Sequence, residues 1–365
     1  MKNLLLILLL LLTGEISAQQ TATIVVKTTP DNEIAYWPTG KDHLFFITLG
    51  TKAQADPQGQ FVHEFSVSRP TTIHVWAKGN NSFTLYLTPG SKDTIAVAKN
   101  TINFSGTNRV YNRCLKAVDD YQQYSDNLIY MQPHELEGVT SLEQYHQLAD
   151  ARMKQALDSV NASGLDKEFL AEQRAHIDYT HRSIFLHVAM YLVKNENFTE
   201  NWRKELAEII NQPVDSDYLR SYRGIGLFIN DLIGAQFIKL ENGKPEEIKD
   251  YCSFRFDRYR KFFKGDNLQY AQALLIYEDE FQTRNTPSIP QLYERYKAEF
   301  PNSPFLSVLE PGVNKNLRFQ NSRIDDKDYH ILPCDSTVEN LEDAVKPFKG
   351  KVVYIDVWAT WCGPC

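Results

Sequence analysis

Between residues 21 and 108 apolar and polar positions alternate with a period of two, in short runs separated by turn residues. The runs are TATIVVKT (21–28), HLFFITLG (43–50), GQFVHEFSVS (59–68), TTIHVWAKG (71–79), NSFTLYLTPG (81–90) and DTIAVAK (93–99). Ile73, Val75 and Ala77 share one face while His74, Trp76 and Lys78 share the other, and Phe83, Leu85 and Leu87 repeat the pattern. A strand with one buried face reads this way, and strands recurring about every 8–12 residues between turns predict an antiparallel β-sandwich over 19–108.

From Arg109 the period lengthens to that of helices. In SLEQYHQLADARMKQALDSV (141–160), Leu142, Tyr145, Leu148, Met153, Ala156 and Leu157 fall on or near one stripe, with Ser141 placed to cap the N-terminus. Residues 166–195 form a longer candidate that opens on Asp166 and carries Phe169, Leu170, Ile177, Ile184 and Leu192. Further candidates cover 199–211, 216–240, 246–263, 268–283, 289–300 and 304–318, punctuated by Pro213, Gly243-Lys244-Pro245, Pro287, Pro290, Pro301 and Pro304. No fixed repeat joins them, so an irregular α-helical domain is expected over 109–318, followed by a polar linker at 319–329.

The first residues, MKNLLLILLLLLTGEISAQQ, combine Lys2, an apolar run from Leu4 to Leu12 and the small residues Ser17 and Ala18. This is the pattern of a secretory signal peptide, 1–18, cleaved after Ala18. The run is shorter than the roughly 20 residues that span a bilayer, and no cysteine near the cleavage point offers a lipid attachment. The mature chain is expected on the periplasmic or otherwise secreted side of the cell envelope, where disulfide chemistry operates.

Composition narrows the classes further. The chain has 365 residues, 39 Lys plus Arg against 46 Asp plus Glu, and a net charge of -7. It has no basic run that would neutralise phosphates, which argues against a nucleic-acid partner. Five cysteines are too few for a disulfide scaffold in a chain of this length. Two of the five, however, close the sequence in a pattern with its own chemistry.

Val352, Val353, Tyr354, Ile355 and Val357 form a β-branched and aromatic run typical of a strand buried on both faces, and Cys362-Gly363-Pro364-Cys365 follows directly. A strand leading into Cys-x-x-Cys places the first sulfur at a helix N-terminus, where unpaired N–H groups and the helix dipole favour the thiolate. Two intervening residues keep the second sulfur within reach for a reversible disulfide. Pro364 has a helix-compatible φ and needs no hydrogen bond in the first turn.

KGKVVYIDVWATWCGPC (349–365) resembles the active-site strand and turn of thioredoxins, most closely the secreted TlpA-like and ResA-like thiol-disulfide oxidoreductases. A signal peptide and a β domain ahead of the motif are similar in layout to Bacteroidetes members of that family. The resemblance implies that 330–365 begins an α/β thioredoxin-like domain. It implies Cys362 as the nucleophile, Cys365 as the resolving thiol and Asp356 as the buried acid that accepts a proton from it. Trp358, Trp361, Gly363 and Pro364 would support the site, the two tryptophans equally well by simple packing. No cofactor is implied beyond the redox-active Cys362–Cys365 pair, and no metal. The implied partners are disulfide-containing client proteins and a membrane thiol electron donor, in cell redox homeostasis of the kind that serves cytochrome c maturation. Reductase chemistry is the expected direction. The family's remaining helix, strands and cis-proline loop would follow Cys365, so the chain is expected to be a truncated fragment, inactive by itself.

Other readings of the same residues are weaker. A zinc site would need two more ligands at matching spacing, and neither a second Cys-x-x-Cys nor a His-x3–5-His pair occurs. A c-type haem would need His directly after Cys365. Cys114, Cys252 and Cys334 stand outside any motif and are expected as buried thiols or a structural bridge. His176, His181 and His187 lie at offsets of five and six on one expected helix, more consistent with packing or surface roles than with ligation. Gly224-Ile225-Gly226 lacks the context of a phosphate loop. From a different class, the sandwich and helical regions could form a secreted, non-enzymatic binding or scaffold module that carries the biology.

Overall fold

The computed structural model describes residues 20–39, 43–44, 50–79, 81–98, 101–282, 284–322 and 340–353. The expected signal peptide, 1–18, lies outside them, as do Cys334 and everything after Val353. Contacts divide the chain into two units, Met1–Phe319 and Gln320–Cys365.

In the first unit, alternation folds into eight strands among the described residues: β1 (Gln20–Lys27), β2 (Glu33–Thr39), β3 (Thr51–Gln54), β4 (Gln60–Val67), β5 (Thr71–Ala77), β6 (Asn81–Leu87), β7 (Lys92–Ala98) and β8 (Thr101–Gly106). They form two four-stranded sheets, ordered β4-β1-β7-β8 and β3-β2-β5-β6. Ala22, Ile24 and Val26 of β1, Ile73, Val75 and Ala77 of β5, Phe83, Leu85 and Leu87 of β6, and Ile95 and Val97 of β7 supply the sandwich core. The expectation of a wholly antiparallel sandwich is corrected at one point, where β1 and β7 run parallel, with Thr23 opposite Lys92 and Lys27 opposite Ala96. Parallel neighbours need a long crossover, and residues 28–91, which contain most of the other strands, provide it.

Three strands, β2, β3 and β8, carried too little pattern to be expected, β3 being only four residues long with none of them buried. β2 buries Ile34 and Trp37 out of strict alternation and contains Pro38. β8 is an edge strand whose one buried residue is Phe104. Of the expected strand at 43–50, positions 45–49 lie outside the described residues.

The helical part contains α1 (Arg109–Asp126), α2 (Leu142–Asn161), α3 (Lys167–His187), α4 (Glu200–Asn211), α5 (Ile225–Gly234), α6 (Tyr251–Arg258), α7 (Gly265–Phe281), α8 (Ile289–Glu299) and α9 (Leu306–Asn321), joined by short turns. Ser141 caps α2 as expected and completes a capping box with Gln144, its side chain accepting from the Gln144 N–H while the Gln144 side chain accepts from the Ser141 N–H. Asp166 likewise caps α3, accepting from the Phe169 N–H at 2.9 Å. Helix α3 lies at the centre and packs against α1, α2 and α5. Its Ile177, Ile184, Phe185 and Leu186 join Trp202, Phe228, Phe256 and Tyr259 in the helical core. Helices α1, α3 and α5 each run on into a π-helical turn, at 127–131, 188–192 and 235–240.

Helix α1 fastens the two cores together. β6 ends its sheet, so the N–H groups on its outer edge have no neighbouring strand. Asp119 Oδ2 accepts the Thr84 N–H at 2.5 Å and Asn112 Oδ1 accepts the Tyr86 N–H at 2.7 Å. Residues seven apart on the helix therefore meet residues two apart on the strand, and the edge is closed by side chains in place of a strand. The start of α1 is pinned as well: Asp93 accepts from the Asn108 N–H at 2.7 Å and from its Nδ2 at 2.9 Å. At the β8–α1 joint Gly106 has φ +109°, and a Cβ there would stand 2.2 Å from the Lys92 carbonyl oxygen.

In the second unit, α10 (Leu341–Val345) is capped by Asn340, which accepts from the Asp343 N–H at 2.9 Å, and a short turn at 346–348 follows. Val352 and Val353, the start of the expected buried strand, are exposed and belong to no strand. Among the described residues of this unit there is no second strand to take their backbone hydrogen bonds.

Candidate functional site

Cys362, Cys365, Asp356, Trp358, Trp361, Gly363 and Pro364 all lie outside the described residues. Among the described cysteines, Cys114 on α1 and Cys252 on α6 are free and buried, so the alternative of a bridge between them is not realised. Burial pushes both thiols up from their ordinary pKa, against weaker pulls from Ser163 on Cys114 and Thr286 on Cys252. Each is a poor nucleophile at neutral pH.

The described residues also build a feature that the sequence did not announce: a cavity of about 690 Å³ where the sandwich meets α1, α3 and the 217–223 turn. It arises because the second sheet is covered on both faces near β5 and β6, by the sandwich core inside and by helices outside. His74 illustrates the consequence. Its alternation placed it on the solvent face, yet it is fully buried. Its Nδ1 lies 3.1 Å from Thr84 Oγ1, its Nε2 2.5 Å from Ser82 Oγ, and Arg223 Nη1 stands 3.0 and 2.9 Å from the two ring nitrogens. Burial, reinforced by Arg223, holds the His74 pKa well below its ordinary value and the ring neutral.

Asp119 closes this cluster, with Arg223 Nη1 3.4 Å from its Oδ1 and Thr84 Oγ1 donating to the same oxygen at 3.0 Å. Burial raises the Asp119 carboxyl, against the opposing pulls of Arg223 and the two Thr84 hydrogen bonds. On the opposite wall, α3 presents Glu172, Gln173 and His176. His176 Nε2 is 3.0 Å from Ser221 Oγ, which donates to Glu172 Oε1 at 2.5 Å. The arrangement is not a Ser-His-acid triad, because the serine proton goes to the carboxylate and one ring nitrogen faces both partners. It is a relay of donors that fixes one Glu172 oxygen and leaves Oε2 without a hydrogen bond among the described residues. Burial lowers the His176 pKa despite Glu172. His176, expected in a packing or surface role, is thus a cavity residue.

Gln173 is 2% exposed and lines the same cavity, and its Oε1 has no hydrogen-bond partner. Beside it Tyr86 stacks on Tyr111 at 4.5 Å, and Phe169 meets both edge-on at 5.4 and 4.9 Å. A second cavity of about 340 Å³ lies behind Arg223 and Gln122, which line both, and contains Gly224, Ile225 and Gly226 with the buried Arg255–Glu278 pair at 3.4 Å. Among the described residues no group of three or more His, Cys, Asp or Glu side chains is arranged to hold a metal ion, and no helix is long and apolar enough to cross a membrane.

Comparison with known proteins finds no matching family model, no matching curated protein and no matching solved structure.

Proposed function

We propose that the protein is a cell-envelope thiol-disulfide oxidoreductase of the secreted thioredoxin type, working as a disulfide reductase. The observation that carries this reading is the sequence Lys349–Cys365, an apolar β-branched run that ends in Trp-Cys-Gly-Pro-Cys. In the proposed reaction the Cys362 thiolate attacks a client disulfide, forming a mixed disulfide and releasing one client thiolate. Cys365, losing its proton to Asp356, then attacks the Cys362 sulfur, and the second client thiolate leaves. The client gains two electrons, the pair becomes a disulfide, and a membrane thiol donor restores it. No cofactor enters. Trp358 and Trp361 flank the pair, and the signal peptide delivers the chain to the compartment where such clients occur. The inert burial of Cys114 and Cys252 supports this reading, since neither would compete for the client.

The test is reduction of a fluorogenic disulfide peptide by the protein expressed from its full reading frame. Turnover that is lost in Cys362→Ser, with a trapped mixed disulfide in Cys365→Ser, is the expected result. Equal rates in wild type and Cys362→Ser would end the proposal.

The cavity favours a second role beside the first, ligand binding by the sandwich and helical body. Its motivating observation is Gln173 Oε1, a buried acceptor without a partner, which no part of the dithiol chemistry explains.

A further inference from the structure

We propose that the cavity between the sandwich and α3 binds a ligand carrying a cationic amine, with Glu172 as its principal counter-charge. The inference rests on the ligand-binding role just described and names the chemistry of the ligand.

The balance of charge around the cavity decides the sign. Arg223 is engaged by Asp119 and stands against the neutral His74. Beyond that pair the lining holds Glu168 and Glu172 against Arg69, with Asp217 offset by Arg220 at 3.9 Å. Glu168 and Glu172 are one turn apart on α3 and therefore on one face, and neither forms an ion pair with Lys or Arg among the described residues. The donor relay from His176 through Ser221 to Glu172 Oε1 orients that carboxylate and leaves its other oxygen without a hydrogen bond among the described residues.

The uncharged groups fit the same ligand. Gln173 Oε1 is a buried acceptor without a partner, and a donor on the ligand would recover the cost of leaving it unsatisfied. An ammonium group supplies up to three donors and accepts none. Tyr86 and Phe169 add aromatic surface to the cavity lining, and cations favour π faces. Burial, followed by Tyr111, Asp166, Glu172 and Glu168, pushes the Tyr86 hydroxyl up, which places those carboxylates within electrostatic reach of the ring. An anionic ligand would meet the same carboxylates as repulsion and would leave Gln173 Oε1 unmatched.

Calorimetric titration of the whole chain with four probes tests this: 1,5-diaminopentane, the peptide acetyl-Gly-Lys-Gly-amide, neutral 1,5-pentanediol and glutarate. Saturable binding of the diamine, the peptide or both is expected, and the tighter of the two identifies a free amine or a lysine-bearing chain as the source. Glu172→Gln should weaken that binding at least tenfold. Glu168→Gln, an exposed position that the fold tolerates, should weaken it about threefold, and added salt should weaken both. Pentanediol or glutarate binding as tightly as the amines would overturn the cationic assignment and leave the binding role standing. Unchanged amine affinity in both variants would overturn the assignment too. Failure of all four probes would remove the assignment and the ligand-binding role together.

Discussion

His74, His176 and His181 are kept neutral chiefly by burial, with Arg223 adding to the effect at His74 and His176. His181 sits with its Nδ1 2.9 Å from the Tyr121 hydroxyl. A histidine whose folded pKa is depressed contributes stability that is present above its unfolded value, about 6.5, and is lost as pH falls towards the folded value. In that window the unfolded chain takes up protons that the folded chain refuses, so each such ring removes up to about 1.4 kcal/mol per pH unit. His146 acts in the opposite sense, because Asp150 and Glu205 outweigh its burial. Buried carboxyls such as Asp119 and Asp231, which burial raises, also act in the opposite sense, so the test is a difference. His74→Gln should make the unfolding free energy measured in urea fall less between pH 7 and pH 5 than in the wild type. A profile that the substitution leaves unaltered would contradict the neutral burial of His74.

At the scale of elements, the joint between α1 and β6 matters most. Asp119→Ala removes both the acceptor for Thr84 and the partner of Arg223, a loss of about 3–5 kcal/mol for a broken buried pair. Asn112→Ala leaves the Tyr86 N–H without its acceptor and should cost about 1–3 kcal/mol. Asp120→Ala on the same helix, where the side chain is exposed and pairs only with Lys116, should stay within about 0.5 kcal/mol. Urea denaturation that ranks Asp119 no higher than Asp120 would show that α1 does not close the sheet edge. The elements themselves were largely legible: the period of two marked β1, β5, β6 and β7, and the Ser141 and Asp166 caps stand where the sequence placed them. β2, β3 and β8 were not, because Pro38 in β2, four residues with none buried in β3 and a single buried Phe104 in β8 give no alternation on which such reading depends. The cavity was illegible for a related reason. Alternation distinguishes the inner face of a sheet from the outer but is silent on what covers the outer one, so His74 and Gln173 looked like ordinary surface or helix positions. The parallel pairing of β1 with β7 likewise depends on the route of the intervening chain, which local pattern does not encode.

For the whole molecule, the chemistry divides between two places in the chain. A body made of the sandwich and α1–α9 carries a polar cavity and two buried, unreactive thiols. The C-terminal segment carries the Cys362-Gly363-Pro364-Cys365 motif, for which redox exchange is proposed. The most direct test of that assignment is redox titration of the protein from its full reading frame in glutathione buffers, quenched with acid and read by mass spectrometry of peptides. The account predicts a reversible disulfide joining Cys362 to Cys365, with Cys114 and Cys252 remaining thiols throughout. A Cys362–Cys365 pair that stays reduced at every glutathione ratio, or exchange that runs through Cys114 or Cys252, would contradict it.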